Sequence, residues 1–143
     1  MYSYATRVSI IKEKSMAILQ IANNNAKIFE LKNYSKIFNP NLNYTSKWEL
    51  VNELEIEFSQ GGGAPSIESL ARISEGVLPY EKLVLAGHTE GEIVPAKLFH
   101  SYLADNYKST SYKICAYIED SKLEVEDVFR MASSVYDKLT HND

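Results

Sequence analysis

The most regular hydrophobic pattern of this chain lies near its C-terminus. Apolar residues recur there every three or four positions, as along one face of an α-helix: Val125, Val128, Phe129, Ala132, Val135, Tyr136 and Leu139. Ser121 and Glu124 precede this stripe at the spacing of a capping box, which satisfies backbone N–H groups at a helix start. The pattern predicts a helix over 122–139. Because its apolar face needs a cover, we expect the helix to form part of the core or of a homodimer interface.

Three other segments carry residues that typically begin and end helices. Ser66 is placed to cap a helix that Gly76 would end, with four residues on a shared face: Ile67, Leu70, Ala71 and Ser74. Pro79 suits the first turn of a short helix that runs to Gly87. Pro95 opens a further helix with four apolar positions: Leu98, Phe99, Tyr102 and Leu103. The sequence therefore predicts three short helices between residues 66 and 103.

In three segments the pattern fits either a helix or a strand. Residues 7–22 have apolar positions near helical spacing and we expect a helix, but 15–22 and 26–34 flank three asparagines as the strands of a β-hairpin would. In residues 48–58 apolar positions recur at helical spacing, and apolar and polar residues also alternate as in a strand. A serine just before the segment could cap a helix and favours that interpretation. Residues 111–119 alternate as a strand does and also fit a buried helix, so both interpretations stay open.

Composition places the chain among ordinary globular domains. It has 143 residues, of which 45% are hydrophobic and 24% charged, enough for one core. The sequence has neither a run of about 18 apolar residues, as a membrane span needs, nor a leader pattern at its start. The single cysteine, Cys115, cannot form an internal disulfide, which suits a reducing compartment. We therefore expect a cytoplasmic protein without membrane contact.

Charge is unevenly distributed along the chain. Residues 1–47 carry seven Lys or Arg and two Glu, whereas residues 48–92 carry two Lys or Arg and nine Glu. We therefore divide the chain into a basic N-terminal segment, 1–47, and a helical regulatory domain, 48–143, expected to form one compact unit overall. A polyanionic partner would meet the basic segment.

Three places in the sequence could carry chemistry, and none supports a catalytic assignment. His88 with Glu90 and Glu92 supplies a single histidine in a glycine-containing loop, which is not the spacing of a zinc site. The glycines at 61–63 have no lysine after them and glutamates before them, so a connector is favoured over a phosphate-binding loop. Cys115 lies in an apolar run and is predicted to be buried and unreactive. We expect no enzyme activity, no metal and no cofactor.

One segment resembles a known family. Residues 65–76, PSIESLARISEG, and 79–87, PYEKLVLAG, are similar to the back half of the phage-repressor (Cro-like, xenobiotic-response-element) helix-turn-helix family. The matching positions are Pro65, Ser66, Ile67, Leu70, Ala71, Ile73, Leu83, Leu85, Ala86 and Gly87. In that family these positions build the core. The resemblance implies a mainly α fold, a small helical domain with repressor-like helix-turn-helix features. The preceding residues, 48–60, carry four glutamates where the family has its recognition helix, and these would repel phosphates.

A fainter resemblance to the front half of the same family lies at 103–120, LADNYKSTSYKICAYIED. Here 111–119 would be the second helix of the motif. The resemblance implies that six residues contact DNA: Lys108, Ser109, Thr110, Ser111, Tyr112 and Lys113.

Together these patterns predict a small DNA-binding transcriptional regulator from a bacterium or phage, dimeric through the helix at 122–139. The alternative is a protein–protein interaction module or inhibitor, in which an acidic surface docks a basic protein partner and no DNA is bound. An uncharacterised enzyme is the third hypothesis.

Overall fold

The computed structural model describes residues 14–22, 24–32, 48–58, 64–87, 95–119 and 124–141. In chain order the elements are β1 (Lys14–Ile21), β2 (Asn25–Leu31), β3 (Trp48–Glu55), α1 (Ile67–Val77), β4 (Tyr80–Gly87), α2 (Pro95–Asn106), α3 (Lys108–Ser111), β5 (Ile114–Glu119) and α4 (Val125–His141). The strands form one five-stranded sheet with helices on both faces. The predicted mainly α fold is wrong, because a mixed sheet occupies the centre of an α/β architecture.

The strand order across the sheet is β3-β2-β1-β4-β5. The first three strands pair antiparallel, whereas β4 and β5 run parallel to β1 and follow crossovers that contain α1 and α2. Helices α1 and α2 pack on one side of the sheet, which we call the front face, and α4 packs on the other side, the back face. The central strands are therefore covered on both sides.

Strand β1 explains why the predicted helix over 7–22 is wrong within the described residues. Five of its side chains are no more than 1% exposed: Met16, Ala17, Ile18, Leu19 and Ile21. A strand buried on both faces shows a continuous apolar run, whose periodicity cannot be told from that of a buried helix. The hairpin alternative is confirmed, because β1 pairs antiparallel with β2, with Ala17 opposite Glu30.

Strand β3 forms one edge of the sheet, where we predicted a helix. Leu50 lies opposite Phe29 and Asn52 lies opposite Ile28, so Val51 is the extra residue of a β-bulge. A bulge reverses the alternation between the two faces of a strand. This reversal explains why the segment fits no single strand pattern in the sequence.

Helix α1 confirms the predicted cap, and the element after it does not match its prediction. The Ser69 N–H donates to Ser66 Oγ at 3.2 Å, which satisfies a free donor at the helix start. Residues Tyr80–Gly87, predicted as a short helix, form β4 between β1 and β5. Its last five residues are all buried, so the strand again gives a continuous apolar run in place of an alternation.

The segment after β4 matches the predictions in part. Pro95 opens α2 as predicted, and the helix packs three side chains on the front face: Ala96, Phe99 and Leu103. Residues 111–119 complete the one-turn helix α3, pass through a turn and form the edge strand β5. The strand interpretation of this segment is confirmed, and the recognition helix implied by the resemblance is wrong.

Helix α4 confirms the C-terminal prediction but begins at Val125, and Ser121 lies outside the described residues. The Glu124 N–H donates to Asp127 Oδ2 at 3.2 Å at the helix start. Three residues of the predicted stripe are buried against the back face: Val128, Phe129 and Ala132. Because these residues at the centre of the stripe pack on the chain's own sheet, the predicted homodimer through 122–139 is wrong, although Val125 and Leu139 at the ends of the stripe are exposed.

Two further observations concern the organisation of the chain. Strands β2 and β3, on either side of the predicted boundary at residue 47, are neighbours in the sheet, while the division into two segments stays a prediction. Among the described residues, none of the helices has the length and apolar character needed to cross a membrane.

Candidate binding groove

Helix α4 covers only part of the back face. It packs over side chains of β1, β4 and β5: Met16, Ile18, Val84, Ala86 and Ile118. The helix also contacts Phe29 of β2 and Trp48 of β3, but it leaves Leu50 of β3 exposed. The exposed fractions of Leu50, 47%, and Val125, 40%, mark an apolar border between strand and helix. A groove therefore lies between β3 and the first turns of α4.

Three aromatic side chains form the floor of the groove. Phe29 meets Phe129 edge to face with ring centroids 4.9 Å apart, and Trp48 stacks on Phe129 with centroids 6.4 Å apart. Trp48 Nε1 donates to Ser133 Oγ at 3.0 Å, which satisfies the indole donor away from water. These contacts join α4 to the two outer strands, so the floor is held in place by packing.

The groove has a volume of about 540 Å³. This lies within the range of about 300–1,000 Å³ that is typical of ligand sites. The apolar part of its lining consists of Ala22, Phe29, Trp48, Leu50, Val125 and Phe129. The polar part, at the end nearest the β1–β2 turn, consists of Gln20, Asn25 and Lys27. The groove is therefore apolar along most of its length and polar at one end.

The alternation of β2 brings the polar end together. Asn25, Lys27 and Phe29 point to the same face because successive side chains of a strand alternate. Glu53 lies opposite Lys27 in the sheet, and its Oε2 accepts a hydrogen bond from Asn25 Nδ2 at 3.0 Å. Within the described part of the chain, no carboxylate forms an ion pair with Lys27. Lys27, a partly buried residue, thus adjoins the apolar floor, with Glu53 as its neighbour across the strand pair.

The six residues implied to contact DNA lie elsewhere, between α2 and β5. They are Lys108, Ser109, Thr110, Ser111, Tyr112 and Lys113, and none of them lines the groove. Thr110 is buried, whereas Tyr112 is 78% exposed. Lys113 Nζ donates to the Leu78 carbonyl oxygen at 3.1 Å, which ties this turn to the end of α1. The segment therefore serves the connection between two elements of the fold.

The residues on either side of the glycine run are joined by hydrogen bonds. The Ser66 N–H donates to the Glu57 carbonyl oxygen at 2.7 Å, and the Glu57 N–H donates to Ser69 Oγ at 2.9 Å. These bonds fix the end of β3 to the start of α1. The glycines at 61–63 lie outside the described residues, so their role as a connector stays a prediction.

The two remaining candidates for chemistry are the loop at His88 and the thiol of Cys115. His88, Glu90 and Glu92 lie outside the described residues, and the described part of the chain holds no cluster of three potential metal ligands. The prediction that Cys115 is buried is wrong, because the residue is exposed at the sheet edge. Its sulfur is nevertheless partly sheltered, 3.4 Å from the Leu83 carbonyl oxygen, and this burial raises the pKa of the thiol. A raised pKa lowers the thiolate fraction and hence the reactivity.

The groove cannot be recognised in the sequence, because its residues are far apart in the chain. Lys27 belongs to the basic segment that we expected to meet a polyanion, and Leu50 and Val125 belong to stripes that predicted helices. The hairpin interpretation carried a usable signal, since the alternation of Asn25, Lys27 and Phe29 places a cation and an aromatic ring on one face. Nothing in the sequence indicates that α4 leaves this face uncovered.

The sequence matches no protein-family model and no curated protein. Comparison with solved structures finds Pelota from Archaeoglobus fulgidus, with a TM-score of 0.53 and 14% identity, over 93% of this chain and 35% of that chain. A structure of S. cerevisiae Dom34 matches with a TM-score of 0.46 and 9% identity, over 97% of this chain and 41% of that chain. A second Dom34 structure matches with a TM-score of 0.44 and 9% identity, over 87% of this chain and 37% of that chain. The TM-scores of the Dom34 structures are too low to carry a structural argument.

These findings correct the predicted function. The resemblance at 65–87 and 103–120 implied a helix-turn-helix fold, but the chain has an α/β fold similar to part of Pelota. Residues 111–119, implied to form a recognition helix, end in a strand of the sheet. The predicted DNA-binding transcriptional regulator is therefore wrong, as are DNA and a basic protein as its partners. The alternative of an acidic interaction module or inhibitor has no support either. The comparison establishes only the fold. The part of Pelota that matches this chain is 35% of the length of Pelota.

Proposed function

We propose that this chain is a binding module of a factor that acts in translation and RNA quality control. The observation that carries the proposal is the fold, which is similar to part of Pelota over 93% of this chain. Dom34, matched more weakly, is described as a translation termination-like factor involved in RNA quality control pathways and interacting with Hbs1. That description gives the proposal its direction. Because one fold can host many functions, the proposal needs a test on this chain itself.

The module acts by binding, and the proposal includes the predicted absence of enzyme activity. The back-face groove supports a binding role, because it combines about 540 Å³ of open space with an apolar floor and a polar end. The raised pKa of Cys115 makes this thiol a poor nucleophile at neutral pH. A cytoplasmic location is also part of the proposal, since translation factors act where ribosomes are.

Co-sedimentation with ribosomes tests the proposal. The purified chain is centrifuged through a sucrose cushion with ribosomes of its source organism, over a series of rising salt concentrations. We expect a fraction of the chain to pellet with the ribosomes at low salt and less of it as salt rises, because screening weakens contacts to a charged particle. The chain centrifuged without ribosomes controls for aggregation. Recovery in the pellet no higher than in this control, even at the lowest salt, would contradict the proposal.

A further inference from the structure

Strand β3 is an edge of the sheet, and no described strand pairs with its outer side. Successive residues of an antiparallel strand turn their N–H and C=O groups alternately to one side and to the other. The Ile56 N–H donates to the Asn24 carbonyl oxygen at 3.0 Å, so the backbone groups of Ile56 and Leu54 face β2 and those of Glu53 and Glu55 face outward. Free N–H and C=O groups along an edge are a template for pairing with another chain.

The part of this edge that is regular enough for pairing follows the β-bulge. The bulge at Val51 interrupts the first half of the strand, and bulges hinder pairing at sheet edges. From Asn52 to Glu55 each residue lies opposite one residue of β2, as in a regular ladder. Three of these four side chains are exposed, and Leu54 is partly buried. The second half of β3 therefore has the backbone geometry to accept a further strand.

The charge of this stretch opposes pairing with a second copy. Residues 48–58 carry four glutamates and no Lys or Arg. Two identical strands that pair about a twofold axis place residues at equal distances from the axis opposite each other. An axis at Glu53 or at Glu55 puts that residue opposite its own copy, and an axis at Leu54 puts Glu53 opposite Glu55. Like charges directly opposite each other destabilise a strand pair.

Neighbouring elements compensate this charge only in part. Lys27 of β2 lies opposite Glu53, whereas Glu55 lies opposite a neutral asparagine. Arg72 Nη2 of α1 lies 3.9 Å from Glu57 Oε1. These two cations face three glutamates, so the outer half of the edge keeps a net negative charge.

We propose that the outer edge of β3 is a pairing surface for a second copy of this chain, and that Glu53 and Glu55 keep it closed. While both carboxylates are charged, an approaching copy meets like charge in each register centred on 53–55, and the native chain stays single at this edge. When the charge is removed or reversed, two sheets join through antiparallel β3 strands. The contact involves neither the helix over 122–139 nor the back-face groove, and it is independent of ribosome binding.

Sedimentation velocity over a series of protein concentrations tests the proposal. Glu53→Gln with Glu55→Gln removes the repulsion and should strengthen self-association about threefold to tenfold relative to the native chain. Glu55→Lys changes the net charge by the same amount, but with the axis at Leu54 it places two Lys–Glu pairs across the contact. It should strengthen self-association about tenfold to hundredfold.

Glu75→Lys is the matched control, because it makes the same charge change at an exposed position of α1, near Tyr102 of α2. It should sediment as the native chain does. Urea unfolding of each variant checks that the fold is retained, as expected for substitutions of exposed side chains.

Amide hydrogen exchange measured by NMR locates the contact. In the native chain the outward N–H groups of Glu53 and Glu55 should exchange fast, and that of Leu54, turned toward β2, should exchange slowly. In the Glu55→Lys variant at high concentration, the amides at 53 and 55 should become protected, because they bond to the partner strand.

Three results would overturn the proposal. One is self-association of both edge variants that is no stronger than that of the native chain. Another is an equal increase in the Glu75→Lys control, which would make net charge alone the cause. A third is slow exchange of the Glu53 and Glu55 amides in the native chain, which would mean that the edge is already paired.

Discussion

The front and back faces of the sheet differ in how completely helices cover them. On the front face, α1 and α2 bury side chains that are no more than 1% exposed, among them Ile73, Val77, Phe99 and Leu103. On the back face, α4 is the one helix of the described residues. It buries its own Val128 and Ala132 against the sheet, whereas Leu50 is 47% exposed. Five strands span about 20–25 Å, whereas one helix is about 10 Å across. A single helix therefore cannot cover a whole face of this sheet.

This difference separates the residues that stabilise the fold from those available for binding. The front face supplies closely packed apolar contacts along one side of the central strands. The back face supplies the same contacts under α4, and beside them a surface that has no cover within the described residues. We expect substitutions to change the free energy of unfolding most on the front face, less at the floor of the groove, and least at its rim.

The largest effect is expected at the centre of the front face. Phe99→Ala removes a fully buried ring and should lower the free energy of unfolding by about 3–5 kcal/mol. Phe129→Ala should cost about 1 kcal/mol less, because Phe129 borders the open groove and its loss enlarges existing space instead of creating a closed cavity. Urea unfolding of both variants measures the difference. An equal or larger loss for Phe129→Ala would contradict the contrast between the faces.

The second effect on stability is expected at Gly87, which is closely packed on the front face. A Cβ at Gly87 would lie 2.7 Å from the Tyr117 hydroxyl oxygen and 3.0 Å from Ala96 Cβ. Gly87→Ala should therefore cost about 1–3 kcal/mol, as overpacked cores do. Adding Tyr117→Phe removes the nearest atom and should recover part of this loss, although a ring carbon remains at 3.4 Å. A double-mutant cycle measures the coupling, and strictly additive losses would count against a steric cause.

The floor of the groove should show a smaller effect. Trp48→Phe keeps an aromatic ring but removes the donor that bonds Ser133 Oγ at 3.0 Å, and we expect a loss of about 1–2 kcal/mol. Ser133→Ala leaves the buried indole N–H without this acceptor and should cost at least as much. The double variant should then cost less than the sum of the two. If the two losses simply add, the hydrogen bond does not contribute in the way that the structure indicates.

Some elements of the fold could be predicted from the sequence, and others could not, because only some of them have local signals. The starts of α1 and α2 were predicted correctly because capping and proline signals are local: Ser66 bonds the Ser69 N–H of its own helix, and Pro95 opens its own first turn. Strands β1 and β4 were missed in favour of helices because helices cover them on both faces, which removes the alternation. The bulge at Val51 hid β3 for a related reason, since it shifts the alternation within the strand.

The groove could not be predicted, because it depends on contacts between distant parts of the chain. Lys27, Leu50 and Val125 come together only when β2, β3 and α4 are assembled. The resemblance at 65–87 matched positions that are apolar in both folds, such as Leu70 and Leu83. Buried apolar positions recur in many folds, so such a match does not fix the elements in which they lie.

A pH-dependent effect is expected at the front face. The hydroxyl of Tyr80 donates to Glu30 Oε1 at 2.8 Å, and burial, followed by this hydrogen bond and the negative charge of Glu30, raises the pKa of Tyr80. The folded-state pKa thus exceeds the value of about 10 in the unfolded chain. Its contribution to stability is present below about pH 10 and is lost as the pH rises above that value. Urea unfolding of the native chain should therefore weaken more steeply above about pH 10 than that of Tyr80→Phe. Tyr112→Phe, at a ring that is 78% exposed, should not change the slope.

The smallest effect on stability is expected at the rim of the groove. Leu50→Ser replaces a side chain that is already 47% exposed, so the free energy of unfolding should change by no more than about 0.5 kcal/mol. Leu31→Ser is the matched control on the back face, because Leu31 is 6% exposed and lies opposite Trp48. It should cost about 2–4 kcal/mol, since it leaves a cavity and buries a hydroxyl. Urea unfolding of the two variants compares them directly. A loss at Leu50 as large as that at Leu31 would mean that the rim is covered in the folded protein, and the groove would then not be open to a partner.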